Sequence, residues 1–269
     1  MIASNIWIVL AVAAVFCSVG FIRFVWFMSV GYGLSVAALG VTYFVLYSNA
    51  MNLPMKLMCA VMLVYGLRLG LFLLIRELKN ANYRKTLSSA GGAKKVPFPV
   101  MFVMWLIMAV LYFMETCPLY FRAQNITMLK TLKGEETICW VGVAISAIAV
   151  VIEALADAQK NAAKKVNPHK PCMTGLYKVV RCPNYFGEIL FWTGLFISGV
   201  TSFYSWQWAI ALCGYIMIVY IMLSGAKRIE LRQKKSYGSD KEFAAYAAKT
   251  PLLFPLIPLK SLEKVGFIK

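Results

Sequence analysis

Residues 137–156, TICWVGVAISAIAVVIEALA, indicate a membrane-spanning helix, because these 20 residues include one charged side chain, Glu153. A helix needs about 20 mainly apolar residues to cross the hydrocarbon of a bilayer. Comparable stretches lie at 5–22, 25–47, 53–75, 97–117, 186–203 and 205–224. The sequence therefore predicts an all-α, polytopic membrane helix bundle with about seven transmembrane helices.

The overall composition agrees with this interpretation. Of the 269 residues, 61% are hydrophobic and 14% are charged, which excludes an ordinary soluble domain. The seven stretches occupy more than half of the chain, so we predict a single membrane domain over 1–269. The expected partner is the lipid bilayer, with no obligate protein partner. The location would be the cytoplasmic membrane in a bacterium and the endoplasmic reticulum in a eukaryote.

Membrane topology accounts for the distribution of the basic residues that give the chain its net charge of +17. Cytoplasmic loops of membrane proteins carry an excess of Lys and Arg. Here the cations cluster between the third and fourth spans, between the fifth and sixth, and in the C-terminal tail. The alternate loops hold few. We therefore predict an external N-terminus and a cytoplasmic C-terminus, with Lys95 and Lys170 in cytoplasmic loops, and do not expect nucleic-acid binding.

Three polar features are expected on the outer side. Glu115 lies near the predicted outer end of the span 97–117, where solvent would be close. Arg122 and the glycosylation sequon Asn125-Ile-Thr127 follow it, in a predicted outside loop.

The seven cysteines include no CxxC pair, and most lie within predicted spans as small apolar packing residues. Cys172, Cys182 and His169 match no zinc-binding spacing. We therefore expect no metal site.

One cation lies deep within a predicted span. Arg68 follows Tyr65 by three residues in the span 53–75, so both side chains share one face of the helix. Ionisable residues inside a membrane are costly and commonly functional. The alternative is an Arg that extends to the interface or pairs with a carboxylate.

Polar residues also flank the fifth and sixth spans. Glu153 and Asp157 lie one turn apart and would repel each other unless donors surround them. Pro183 suits the first turn of a helix, which places Asn184 and Glu188 on one face. Gly187 beside them predicts a polar notch that another backbone or a ligand could approach closely.

Residues 153–194, read as E…AD.Q…GLY…R.PNYFGE…W.G, resemble the signature of the membrane-bound steroid 5-alpha-reductase superfamily, in particular its bacterial reductase-like branch. A similar C-terminal pattern follows in Glu230, Tyr237-Gly238, Tyr246 and TPLLFP. The resemblance implies a seven-helix bundle that holds NADPH in a cavity opening to the cytoplasm. It also implies reduction of a carbon–carbon double bond in a steroid or related lipid, most typically a 3-oxo-4-ene steroid to its 5-alpha product.

The resemblance assigns roles to particular residues. Tyr65 and Arg68 reproduce a Tyr-x-x-Arg pattern and become the catalytic candidates, while 1–117 forms the substrate side and 137–269 the cofactor side. Because the chain has no GxGxxG fingerprint, arginines and lysines of the cytoplasmic loops, among them Arg76, would have to meet the phosphates. The cofactor-binding candidates are Asp157, Arg181, Asn184, Glu188, Arg84, Arg228, Tyr237 and Tyr246.

The sequence departs from the steroid enzymes at two points. They carry a Gln-Glu pair in the second span, whereas this chain has neither residue there, so Tyr32, Ser35 or Tyr43 becomes the candidate contact for the substrate. Cys182 stands where the family usually has His.

The expected chemistry is conjugate hydride addition, which places negative charge on the ketone oxygen. A Tyr65 hydroxyl would stabilise that charge, and Arg68 would orient the hydroxyl or meet a cofactor phosphate.

A membrane methyltransferase of the isoprenylcysteine type, which uses S-adenosylmethionine, is the principal alternative, because it has a similar G.Y…R.P.Y.G segment. A non-enzymatic lipid-binding protein is the third.

Overall fold

A computed structural model of the chain describes residues 5–79, 96–129 and 136–268. Within these ranges the regular structure is helical and includes no strand, which confirms the predicted all-α class. The α-helices, numbered here in chain order, are α1 (Asn5–Cys17), α2 (Val30–Tyr47), α3 (Leu53–Lys79), α4 (Phe98–Leu129), α5 (Glu136–Val166), α6 (Pro183–Gly199), α7 (Trp206–Tyr237) and α8 (Lys241–Lys249).

Five of these helices, α2, α3, α4, α5 and α7, are long and apolar enough to cross a membrane. Their large apolar side chains are often exposed, as in Val45, Val64 and Ile148. Such side chains suit contact with acyl chains rather than water. The other two predicted spans coincide with shorter helices, α1 of 13 residues and α6 of 17 residues. The chain is therefore a multi-pass integral membrane protein.

The second predicted span begins later than expected. Residues Phe24–Met28 form a 3₁₀ turn, and α2 starts at Val30. The backbone leaves helical geometry at Arg23 and again at Ser29. In this region Glu77 of α3 accepts hydrogen bonds from Arg23 and, at 2.6 Å, from Trp26. The 3₁₀ turn places both donors at one buried carboxylate.

Helix α4 extends 12 residues beyond the predicted end at 117, and this corrects three expectations. Glu115 is buried within the helix rather than close to solvent. Arg122 is fully buried and donates to the Ser198 carbonyl oxygen at 3.2 Å. Asn125 is also buried in this helix, and its amide donates to Gln207 at 2.8 Å. The sequon is therefore part of helix α4 rather than of a loop, and the Asn125 amide donates to partners inside the protein.

The chain divides into two compact units. Unit 1 comprises Met1–Val143 and Leu195–Gly214, and unit 2 comprises Ala144–Gly194 and Tyr215–Lys269.

Glycines allow α2 and α3 to pack closely in unit 1. A Cβ on Gly33 would lie 2.6 Å from the Gly70 nitrogen, and a Cβ on Gly66 would lie 2.6 Å from the Ala37 nitrogen. Both distances are too short for a side chain. Small residues let membrane helices approach closely enough for van der Waals contact along the backbone.

The core of unit 2 forms where the C-terminal segment packs on α6 and α7. The Arg181 amide donates to the Pro251 carbonyl and the Cys182 amide to the Leu252 carbonyl, each at 2.9 Å. The buried members of this core are Cys182, Ile189, Ala226, Leu252, Leu253, Leu262 and Ile268. Residues just before α6 are thereby tied to the end of the chain.

Candidate functional site

Unit 2 contains a cavity of about 240 Å³ at the C-terminal ends of α5 and α7 and the N-terminal end of α6. Three of the predicted cofactor-binding residues line it, namely Arg181, Asn184 and Tyr237. The complete lining is Lys160, Lys164, Pro171, Cys172, Tyr177, Arg181, Cys182, Asn184, Ile229, Arg232, Gln233, Ser236 and Tyr237.

The lining is strongly cationic. Lys160, Lys164, Arg181 and Arg232 contribute four positive charges, and none of the lining residues is Asp or Glu. Like charges gathered around one space repel each other, and an anion between them removes that repulsion. The cavity is therefore suited to an anionic ligand with several acceptor oxygens.

Two helices reach the cavity because they continue beyond the predicted spans. Helix α5 extends to Val166 and α7 to Tyr237, whereas the predicted spans ended at 156 and 224. The Lys164 ammonium donates to the Tyr237 hydroxyl at 2.8 Å and to the carbonyl oxygens of Pro168 and Lys170. These bonds connect the ends of α5 and α7 and fix the position of the Lys164 charge.

Two groups that do not line the cavity hold the Arg181 guanidinium in place. Its Nη2 donates to Glu230 Oε1 at 3.2 Å and to the backbone carbonyl of Lys260. The other carboxylate oxygen of Glu230 accepts from the Leu262 amide at 2.9 Å. Arg181 and Glu230 are 4% and 7% exposed, so this is a buried ion pair. It fixes the guanidinium orientation before any ligand arrives.

The wall around Tyr177 depends on a glycine. Gly175 has φ of +60°, a conformation that favours glycine. A Cβ there would lie 2.6 Å from Gln159 Cδ, so both backbone and space require Gly. The Gln159 side-chain oxygen accepts from the Leu176 amide at 2.9 Å, which anchors this turn to α5. The arrangement explains the GLY part of the sequence signature.

Two tyrosines secure the same wall. The Tyr246 hydroxyl donates to the Tyr177 carbonyl oxygen at 2.5 Å, and the Tyr177 hydroxyl donates to the Ala156 carbonyl oxygen at 3.3 Å. Burial raises the pKa of both hydroxyls well above the usual value of about 10. Burial also raises the pKa of the Cys182 thiol to about 12. All three groups therefore stay protonated at neutral pH.

The predicted notch on α6 is already filled. A Cβ on Gly187 would lie 2.6 Å from Glu153 Cγ and 3.2 Å from the Ala149 carbonyl oxygen, so α5 occupies the space beside it. Glu188 is buried and accepts a hydrogen bond from Trp192 Nε1 at 3.4 Å. Of the predicted pair, Asn184 lines the cavity and Glu188 does not.

The remaining cofactor candidates lie elsewhere. Asp157 is half-buried on α5 within electrostatic range of Tyr177, but does not line the cavity. Arg228 is exposed, one turn before Arg232 on α7. Arg84 and Lys95 lie outside the described residues, and Arg76 is in unit 1, with its guanidinium 5.4 Å from the Phe72 ring centroid.

In unit 1 the catalytic candidate Tyr65 is paired with a second tyrosine. The hydroxyls of Tyr65 and Tyr32 lie 2.9 Å apart, and both residues are buried. Arg68 follows Tyr65 on α3 and is half-buried. A tyrosine hydroxyl can both donate and accept a hydrogen bond.

The other two substrate candidates have different partners. The Tyr43 hydroxyl lies 2.8 Å from Thr116 Oγ1, and Ser35 Oγ lies 3.4 Å from the Ala13 carbonyl oxygen. The structure thus joins Tyr32 to Tyr65 and leaves Tyr43 and Ser35 in separate contacts.

Lys160, Lys164 and Arg232 were not named among the cofactor candidates predicted from the sequence. The two lysines belong to the loop cations that were expected to set topology and, as a group, to meet the phosphates. Their spacing carried a signal, because Glu153, Asp157, Lys160 and Lys164 recur at intervals of three or four residues. That pattern describes one face of a single helix that continues beyond the membrane.

Fold and site together define a multi-pass helical membrane protein with a cation-lined cavity. A family model described as "Protein of unknown function (DUF1295)" matches residues 7–250, and the chain belongs to this family. Searches of curated proteins and of solved structures gave no match.

Proposed function

We propose that this protein is an NADPH-dependent reductase of a carbon–carbon double bond in an apolar lipid, with a 3-oxo-4-ene steroid as the model substrate. The observation that carries the proposal is the cavity of unit 2, whose lining has four cations and no carboxylate. The resemblance of 153–194 to the steroid 5-alpha-reductase superfamily supports the same conclusion.

The size of the cavity limits which part of the cofactor it can hold. Sites for drug-sized ligands measure about 300–1,000 Å³, whereas this cavity measures about 240 Å³. It suits the phosphate-bearing part of a dinucleotide rather than the whole molecule. Arg181 and Arg232 offer planar, multiply donating groups that match phosphate oxygens. Asn184 and Ser236 add neutral hydrogen-bonding groups.

The same lining disfavours S-adenosylmethionine. Its sulfonium is positive, so Lys160, Lys164 and Arg232 would repel it, and its single carboxylate needs only one or two donors. A methyltransferase would need a less basic cavity, preferably with an acidic residue. The cavity therefore favours the reductase over the methyltransferase.

We assign the second requirement of the chemistry to Tyr65, with Tyr32 as its partner. Reduction of an enone develops negative charge on the ketone oxygen, and a preorganised donor in a dry site stabilises that charge. Bound NADPH would supply the hydride to one carbon of the double bond, and water or a hydroxyl would supply the proton to the other carbon. In the proposal, the hydroxyl pair donates to the oxygen through Tyr65, while Tyr32 holds the Tyr65 hydroxyl in place.

We also propose seven membrane crossings, with the N-terminus outside and the C-terminus in the cytoplasm. In addition to the five long helices, α1 and α6 would complete the set. Helix α1 is followed by the 3₁₀ turn Ser18–Phe21, which lengthens its apolar path. The basic residues at the ends of α5 and α7 would then face the cytoplasm, where NADPH is available.

Binding of the two cofactors to the detergent-purified protein tests the proposal. NADPH and S-adenosylmethionine are titrated in parallel by calorimetry at two salt concentrations. We expect NADPH to bind, with affinity falling as salt rises, because the contacts are charged. Binding of S-adenosylmethionine in preference to NADPH would favour the methyltransferase, and binding of neither would favour the non-enzymatic alternative.

A further inference from the structure

The C-terminal segment 250–268 has an inner and an outer apolar face. Its inner residues, such as Leu252 and Leu262, are buried in the core of unit 2. Its outer residues are the opposite: Leu256 is 96% exposed, Phe267 is 75% exposed and Ile257 is also exposed. Large apolar side chains projecting from the outside of a short segment indicate an interaction surface.

Hydrogen bonds place the end of this segment beside the membrane-embedded part of α7. Lys227 donates to the carbonyl oxygens of Val265 and Ile268 at 3.0 and 2.7 Å, and Tyr220 donates to the Phe267 carbonyl oxygen at 3.2 Å. Tyr220 precedes Lys227 by two turns, about 10 Å along the helix. It lies in the apolar part of a candidate span. The Phe267 backbone therefore lies beside α7 at the level between Tyr220 and Lys227, next to the apolar part of this helix.

The other two exposed residues lie on a short turn bounded by two prolines. Leu256 and Ile257 stand between Pro255 and Pro258. Within this turn the Ile257 amide donates to the Phe254 carbonyl oxygen at 3.3 Å. Both prolines have a fixed φ, so the turn presents its two apolar side chains with little further loss of conformational entropy.

Cations accompany the apolar residues. Lys260 and Lys264 are exposed on the same segment, while Glu263 between them is bound to Lys234 at 2.7 Å. Long lysine side chains can lie along apolar surface and place their ammonium groups at the headgroup level. The segment thus combines apolar insertion with positive charge, the two features that bind a protein segment to a phospholipid surface.

We propose that the segment 254–267 is a membrane-docking surface that occupies the boundary between headgroups and acyl chains. Leu256, Ile257 and Phe267 insert among the acyl chains, and Lys260 and Lys264 contact lipid phosphates. The Lys260 carbonyl also accepts a hydrogen bond from Arg181, which lines the cavity. Docking of the segment therefore fixes the position of Arg181 relative to the membrane surface. This proposal does not depend on which ligand the cavity binds.

Spin-label accessibility in reconstituted vesicles tests the proposal on the full chain. The background variant is Cys213→Ser, because Cys213 is the exposed cysteine and the other six are buried. Labels are placed at Leu256→Cys, Ile257→Cys and Phe267→Cys. Ser239→Cys, exposed in the turn after α7, is the matched control. The vesicles contain phosphatidylcholine and phosphatidylglycerol, and collision with oxygen is compared with collision with a water-soluble nickel chelate.

At 256, 257 and 267 we expect the spin label to collide more often with oxygen than with the nickel chelate, with the greatest depth at 267. At 239 we expect more frequent collision with the nickel chelate. Accessibility at 256 and 267 equal to that at 239 would overturn the proposal. Low accessibility to both reagents, with spin–spin broadening that disappears on dilution with unlabelled protein, would indicate a second copy on this surface and would overturn it too. The three labelled positions guard against a single substitution that disturbs folding.

Discussion

Glu230 on α7 accepts a hydrogen bond from Arg181 at 3.2 Å, and its second oxygen accepts from the Leu262 amide at 2.9 Å. One buried carboxylate therefore connects three parts of unit 2: the approach to α6, the helix α7 and the C-terminal segment. Glu230 is far from the PNYFGE motif in the sequence, yet it forms an ion pair with Arg181, which lies just before that motif.

Removal of this carboxylate should destabilise the protein. Glu230→Ala leaves the Arg181 charge buried without its partner, which typically costs about 3 to 5 kcal/mol. Thermal unfolding in detergent should show a clearly lower Tm. Glu263→Ala is the control, because Glu263 forms an exposed pair with Lys234 at 2.7 Å, and exposed pairs contribute little. Equal losses of Tm in the two variants would contradict the role given to Glu230.

The cation-lined cavity should lose cofactor affinity when one of its charges is removed. Lys160→Gln should weaken NADPH binding about 10- to 100-fold, because a hydrogen bond to a charged group contributes about 1.5 to 3 kcal/mol. Lys165→Gln removes the same charge from the same helix at an exposed position outside the lining, and should change the affinity little. Calorimetric titration measures both. If both variants bind NADPH as the unchanged protein does, the cavity is not the phosphate site.

The hydroxyl pair of unit 1 should affect turnover more than binding. Tyr65→Phe should lower kcat on an enone lipid by about 10²- to 10³-fold, the usual loss for one oxyanion donor, while the NADPH affinity stays unchanged. Tyr32→Phe should lower kcat less, since it removes only the partner 2.9 Å away. Tyr215→Phe is the control, because it deletes a hydroxyl bonded to Thr193 in unit 2. Wild-type turnover by Tyr65→Phe would show that the donor lies elsewhere.

The Cys182 thiol should resist alkylation in the folded protein. Burial raises its pKa to about 12, so almost no thiolate, the reactive form, exists at neutral pH. The unfolded thiol ionises above its ordinary pKa of 9.0, whereas the folded thiol stays protonated up to about 12. The contribution of Cys182 to folding stability is therefore complete below pH 9.0 and is lost as pH rises toward 12. Mass spectrometry after N-ethylmaleimide treatment should find Cys182 modified slowly before denaturation and rapidly after it. Rapid modification of the folded protein would show that the site is open.

The membrane character and approximate helix positions could be predicted from the sequence because apolar length is a strong signal. The ends of helices were harder to predict. Helix α4 continues through Arg122 and Asn125, whose side chains donate hydrogen bonds to Ser198 and Gln207. No local feature of the sequence reveals partners that lie some 80 residues away.

The candidate site was predicted in part. Arg181, Asn184 and Tyr237 lie where a shared signature suggested, around one cavity. Lys160 and Arg232 were not singled out, because basic residues near a membrane are also explained by topology. The same charges can set topology and bind an anionic ligand, and the sequence does not separate the two roles. At Gly187 the sequence indicated that another group approaches the helix closely. It could not show that this group is the Glu153 side chain of α5 rather than a ligand.

Reduction of a lipid double bond is the decisive test of the proposed reductase activity. The purified protein is supplied with NADPH deuterated at its reactive position and with 3-keto-4-ene steroids, sterols and other unsaturated lipids, and the products are analysed by mass spectrometry. We expect a product that carries one deuterium on a carbon of the former double bond, formed as NADPH is consumed. If NADPH binds yet no lipid in the panel gains deuterium, the reductase assignment is contradicted.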